Sequence, residues 1–108
     1  MSNIRTIKTI KEISKEFKKT YGNVQLAAIL KEDNRDILLF SSKYLDPMSP
    51  LDATYKVTKF FRSHDKNILN NIDSIIVIHT EDDNIKNNGF NEMDNVYIIN
   101  VKEWCLWI

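Results

Sequence analysis

The sequence predicts one α/β (α+β) domain over residues 1–108. The expected order is α-β-β-α-β-β, with a mixed sheet of four or five strands and two helices packed on it. Three observations predict this. Ile4, Ile7, Ile10, Ile13, Phe17 and Tyr21 recur every three or four residues, the stripe of a helix that buries one face. Two extended runs, 24–31 and 37–42, flank the polar bridge Glu32-Asp33-Asn34-Arg35-Asp36 in the manner of an antiparallel hairpin. Finally, Ile75-Ile76-Val77-Ile78 is an unbroken β-branched run without a polar face, which reads as a central strand covered on both sides.

Each element has its own local signature. The first helix is expected over about 3–21, with Ser2 or Asn3 as cap and Gly22 placed to end it in a left-handed conformation. In the first hairpin strand, Val24, Leu26, Ala28 and Leu30 fall on one face, and Gln25, Ala27, Ile29 and Lys31 on the other. Residues 43–48 form a loop in which Pro47 turns Asp46 away from helical conformation. Ser49-Pro50-Leu51-Asp52 combines a cap, a first-turn proline and a first-turn acid, so a second helix starts at Pro50 and runs to Ser63 or His64. Its inward stripe is Ala53, Val57, Phe60 and Phe61. Between 65 and 73, Ile68, Leu69 and Ile72 suit one extra helical turn. A strand over 74–80 then lies parallel to a hairpin strand through a right-handed crossover. Residues 81–95 form a long polar loop, 96–101 a last strand, and Trp104-Cys105-Leu106-Trp107-Ile108 an apolar end expected to cover the second face of the sheet or to meet a partner.

The composition narrows the class. A single cysteine cannot form an internal disulfide and suits a reducing compartment. Met1 to Arg5 opens a charged periodic segment rather than an apolar signal sequence, and no run reaches membrane-spanning length, so a cytoplasmic chain is expected. The formal charge is zero, but it is sorted along the chain. Residues 1–31 hold seven Lys/Arg against two Glu, a net of +5, whereas residues 32–108 hold eight against thirteen acids, a net of −5. Such sorting steers charged partners and says little about fold.

The chain has two glycines, Gly22 and Gly89, so a glycine-rich phosphate cradle cannot be assembled, and the common nucleotide, hydrolase and zinc motifs are missing. Cys105 sits in an apolar setting that favours a packed neutral thiol, and His64 is placed to meet a helix C-terminus. His79, Asp82 and Asp83, beyond the end of the aliphatic strand, would serve a metal-dependent hydrolase or nuclease if they converged. A PD-(D/E)xK nuclease would need an acid two residues before its lysine. Asp36 could begin such a site, but Ser41-Ser42-Lys43 puts a serine there. Lys8, Lys11, Lys15 and Lys18 offer a third reading, a basic stripe for nucleic acid. No cofactor or metal is expected.

The leading reading is a non-catalytic inhibitor that binds a basic protein, of the kind represented by immunity proteins that neutralise bacterial nuclease-type toxins by occluding a basic cleft. Between 81 and 95, Glu81, Asp82, Asp83, Glu92 and Asp94 oppose one Lys86. Glu32, Asp33 and Asp36 are expected helpers, and Phe90 and Trp107 buried anchors. This reading rests on charge and class, not on a catalytic motif.

Overall fold

A computed structural model describes residues 4–99. Helix α1 (Ile4–Tyr21) turns Ile10, Ile13 and Phe17 inward, as the stripe requires. It ends at Gly22, whose φ of +115° is costly for any residue with a Cβ. Strands β1 (Val24–Glu32) and β2 (Arg35–Ser42) pair antiparallel out to Glu32 opposite Arg35. The polar bridge is therefore shorter than its composition implies. Only Asp33 and Asn34 turn the chain, both with positive φ, as a two-residue hairpin loop with right-handed strand twist demands. Three residues read as bridge, Glu32, Arg35 and Asp36, belong to the ladder.

A bulge breaks the expected alternation of β1. Val24 lies opposite Ser42 and Leu26 opposite Ser41, so Gln25 is one residue too many on its strand. Its side-chain carbonyl accepts from the Lys43 N–H at 3.3 Å. The extra residue reverses the parity, and Val24 joins Ala27 and Ile29 on the helix-covered face instead of joining Leu26 and Ala28.

After a short 3-10 turn at Lys43–Leu45, helix α2 (Pro50–His64) starts at the predicted proline. Ser49 Oγ accepts from the Asp52 N–H at 3.2 Å, satisfying one of the unpaired donors of the first turn. Replacing Ser49 by Ala is expected to cost about 1 kcal/mol in urea unfolding. A second 3-10 turn at Ile68–Asn70 occupies the stretch with helical tendency and buries Ile68. Strand β3 (Ser74–Val77) runs parallel to β2, the relation expected from a helical crossover, and β4 (Val96–Ile98) lies antiparallel to β1.

The resulting order is β3-β2-β1-β4, a mixed four-stranded sheet in an α+β domain. It places the aliphatic run at the margin rather than in the middle. β3 has only four residues, Ile76 is 44% exposed, and Ile75 and Val77 are half-buried. The central positions belong to β1 and β2. Leu26 to Ile29 and Ile37 to Phe40 are all buried, covered on both faces. One face carries α1 and α2. Ile10, Ile13 and Phe17 meet Ala53, Val57 and Phe61 there over Ala27, Ile29, Leu38 and Phe40. The opposite face, Leu26, Ala28, Ile37 and Leu39, continues into Val96 and Ile98 of β4, and Ile78, Ile85 and Phe90 pack against it. That cover was expected from the terminal tryptophans. Trp104 and Trp107, like Cys105, lie outside the described residues.

An aromatic seam joins the two helices to the loop after β2. Phe17 meets the edges of Phe40 and Phe60, with ring centroids 5.0 and 5.2 Å apart, and Tyr21 stacks on Tyr44 at 4.3 Å. The Lys56 ammonium lies 5.0 Å from the Tyr21 ring centre, a cation–π contact. The Tyr21 hydroxyl, and after it Tyr44, hold the Lys56 pKa above the ordinary lysine value. A raised folded-state value means that this contribution is intact at neutral pH and fades as alkali deprotonates the lysine.

Candidate functional site

The chain leaves β3 at the end of the sheet where β2 also finishes, and must begin β4 at the opposite end, beside the hairpin turn. The intervening residues therefore cross the whole second face. This geometric demand turns the long polar segment into a structural cover. It contains a single helical turn, α3 (Asp83–Lys86), and a 3-10 turn at Gly89–Glu92.

The segment is fastened at three places. At its start the Asp46 carboxylate, from the β2–α2 connection, accepts from the Thr80 N–H at 3.0 Å and also from the Thr80 hydroxyl. Thr80 is buried, so these bonds satisfy groups that water cannot reach. In the middle, half-buried Ile85 and Phe90 press on the sheet. Between them Asn88 adopts a left-handed conformation, and a Cβ on Gly89 would collide with the Asn84 side chain. At its end the Lys31 N–H donates to the Asn95 carbonyl at 2.8 Å, and Asn95 Nδ2 donates to the Lys31 carbonyl at 3.2 Å.

The expected site residues divide on this frame. Glu81, Asp82 and Asp83 are exposed at the start. The Asp82 carboxylate caps α3 by accepting from the Asn84 N–H at 2.9 Å, and Glu81 pairs with Lys86 at 3.3 Å. Exposed Glu92 and Asp94 lie toward the far end, where Asn95 binds the strand carrying exposed Glu32 and leading into Asp33. Asp36 does not join them on the surface. It is 6% exposed, its N–H donates to Asp73 Oδ2 at 2.7 Å, and its carboxylate stands 3.8 Å from Lys31 Nζ. Phe90 also faces inward, because the sheet beneath needs its cover. Trp107 lies outside the described residues.

Two exposed apolar groups lie near these acids, Met93 at 38% and Tyr97 at 56% exposure, and Tyr97 was not among the expected anchors. Alternation signals Tyr97: Val96 and Ile98 pack on the second face, which sends the residue between them to the other side. Tyr97 lines a shallow groove of about 240 Å³ with Ile7, Ile29, Lys31, Asp36 and Asp94.

The residues of the two other readings are arranged differently. His79 Nδ1 accepts from the Glu81 N–H at 3.0 Å and faces Asp46 Oδ1 at 3.8 Å, while Asp82 is engaged in capping. His79, Asp82 and Asp83 thus do not come together around one point. Among the described residues, no group of three or more His, Cys, Asp or Glu side chains has the spacing of a cation site. On α1, Lys8 and Lys15 are exposed, whereas Lys11 and Lys18 are half-buried. Exposed Glu12 and Glu16 interrupt the stripe, and Glu16 pairs with Lys19 at 3.3 Å. His64 meets the last turn of α2, its Nδ1 lying 3.0 Å from the Phe60 carbonyl.

No described helix is long and apolar enough to cross a membrane. Helix α1, with most of the N-terminal positive charge, packs on one face of the sheet, and the acid-bearing segment packs on the other. The sorting of charge along the sequence thus becomes a sorting across the sheet. No protein family model, no curated protein and no solved structure matches this chain.

Proposed function

We propose that the protein is a non-catalytic inhibitor that docks a basic protein through its acid-bearing face, in the manner of an immunity protein that shields a bacterial nuclease-type toxin. One observation carries the reading. The acid segment is fixed at both ends and pinned in the middle, with Glu81, Asp82, Asp83 and Glu92 exposed on the cover of the face opposite α1 and Asp94 exposed at its edge, beside the groove that Ile7 lines. A fastened plate of carboxylates loses less freedom on binding than a loose loop would, which favours association. Its field attracts the cationic cleft with which a nuclease holds nucleic acid. Inhibition then needs no chemistry from this chain, because the bound plate blocks the cleft.

The test uses the full chain as bait in an extract of its native host. A basic protein should be retained at low salt and released at high salt. The purified partner should degrade nucleic acid, and an equimolar amount of this chain should abolish that activity. A captured protein that stays fully active at saturating inhibitor would overturn the reading. So would substrate turnover by the isolated chain.

A further inference from the structure

We propose that His79 is a proton-operated joint that resets the root of the acid-bearing segment. The joint belongs to the free chain and does not depend on what the segment binds. Residue 79 holds the following turn in two ways. Its carbonyl accepts from the Asp82 N–H at 3.0 Å, and its ring Nδ1 accepts from the Glu81 N–H at 3.0 Å. Accepting at Nδ1 requires a lone pair there, so the ring is the neutral tautomer with its hydrogen on Nε2.

Protonation removes that lone pair. Nδ1–H and the Glu81 N–H then point at each other, donor against donor, and the bond between them cannot persist. A replacement acceptor stands beside the ring. Asp46 Oδ1 is 3.8 Å from Nδ1, and a carboxylate that already accepts two Thr80 hydrogens retains further lone-pair capacity. The ring is half exposed, with 54% of its side chain open to solvent, so the proton comes directly from water. Among the described residues, the charged groups shown against residue 79 are Asp46 from the β2–α2 connection and, in the turn it holds, Glu81 and Asp82, Glu81 being tied to Lys86 at 3.3 Å.

The two states therefore differ in what His79 holds. The neutral ring holds the Glu81 backbone and orients Glu81 and Asp82. The protonated ring holds Asp46 and lets the backbone at 81 swing, while Thr80 remains bonded to Asp46. Acidification changes the pose of the first acids without detaching the segment from the sheet.

The experiment is an NMR titration of the full chain from pH 8 to pH 5. The Glu81 amide resonance should move with the same midpoint as the His79 ring Cε1–H. Amide exchange at Glu81, corrected for its intrinsic pH dependence, should accelerate about fivefold, the loss of one ordinary hydrogen bond. Exchange at Thr80 should not change. His64, the chain's other histidine, supplies a reference ring far along the sequence. The variant His79→Gln, checked for native circular dichroism, should leave the Glu81 amide flat over the same range. A Glu81 amide indifferent to pH while the His79 ring titrates would overturn the proposal. An unaltered response in His79→Gln would also do so, by assigning the effect to the Glu81 or Asp82 carboxyl.

Discussion

Replacing Phe40 by Ala is expected to lower stability by about 3–5 kcal/mol. Phe40 is fully buried, and its ring lies 5.0 Å from that of Phe17 and 5.7 Å from that of Phe61. Its side chain joins both helices to the sheet. Its backbone stands between Ala27 on β1 and Val77 on β3, and its carbonyl accepts from the Ile78 N–H at 2.9 Å. A cavity there cannot collapse without moving a helix or a strand. Because domains of this kind are stable by about 5–15 kcal/mol, the variant would retain little margin. Urea unfolding should show a large drop in midpoint at unchanged slope. The comparison that gives this result its meaning is Ile76→Ala, on the exposed margin, for which less than about 1 kcal/mol is expected. Equal costs at the two positions would contradict the central place of β2.

That pair of residues marks what the sequence made legible. The amphipathic stripe of α1, the Ser-Pro start of α2 and the antiparallel hairpin were readable from local periodicity, capping and turn chemistry, and the parallel pairing of β3 with one of the hairpin strands from the crossover that joins them. Strand order was not. Ile75 to Ile78 is the most β-branched run and drew the central assignment, but Leu26 to Leu30 and Ile37 to Phe40 are equally unbroken. Their Ala27 and Ala28 made room for close cover without advertising it. The Gln25 bulge hid the true face of Val24, since the extra residue reverses the alternation before it, while Leu26 to Leu30 keep the faces that alternation gives them. The polar stretch 81–95 looked like a solvated loop because only two apolar side chains, Ile85 and Phe90, fasten it to the sheet. For the same reason its acids were legible as a group, whereas the burial of Asp36 was not.

The double charge reversal Asp82→Lys with Asp83→Lys should slow association with the basic partner by about ten- to a hundredfold at low salt. Both side chains are exposed at the start of the plate, so the substitutions alter its field and not the core. Asp83 opens α3, and Asp82 loses its cap there, but a single turn of helix held by Ile85 keeps the cover in place. Screening over about 10 Å at 0.1 M salt should erase most of the difference, and dissociation should change less than association. Stopped-flow measurements across a salt series would read both rates. Glu12→Lys with Glu16→Lys reverses the same number of charges on α1, on the other side of the sheet, and should not slow association. Equal slowing by the two pairs would mean that net charge, and not the plate, guides the encounter.

The parallel pairing of β3 with β2 has a consequence for how the domain assembles. The hairpin joins neighbours across a two-residue turn and can zip in microseconds, whereas Asp36 and Asp73, which meet where β3 begins, are 37 residues apart. Closing that span waits for α2 to nucleate between them. The acid-bearing crossing follows β3 and is secured only once Thr80 has Asp46 to bond and Asn95 has Lys31, so it locks last. The surface offered to a partner is then the final layer laid on a finished sheet, and it meets that partner already set.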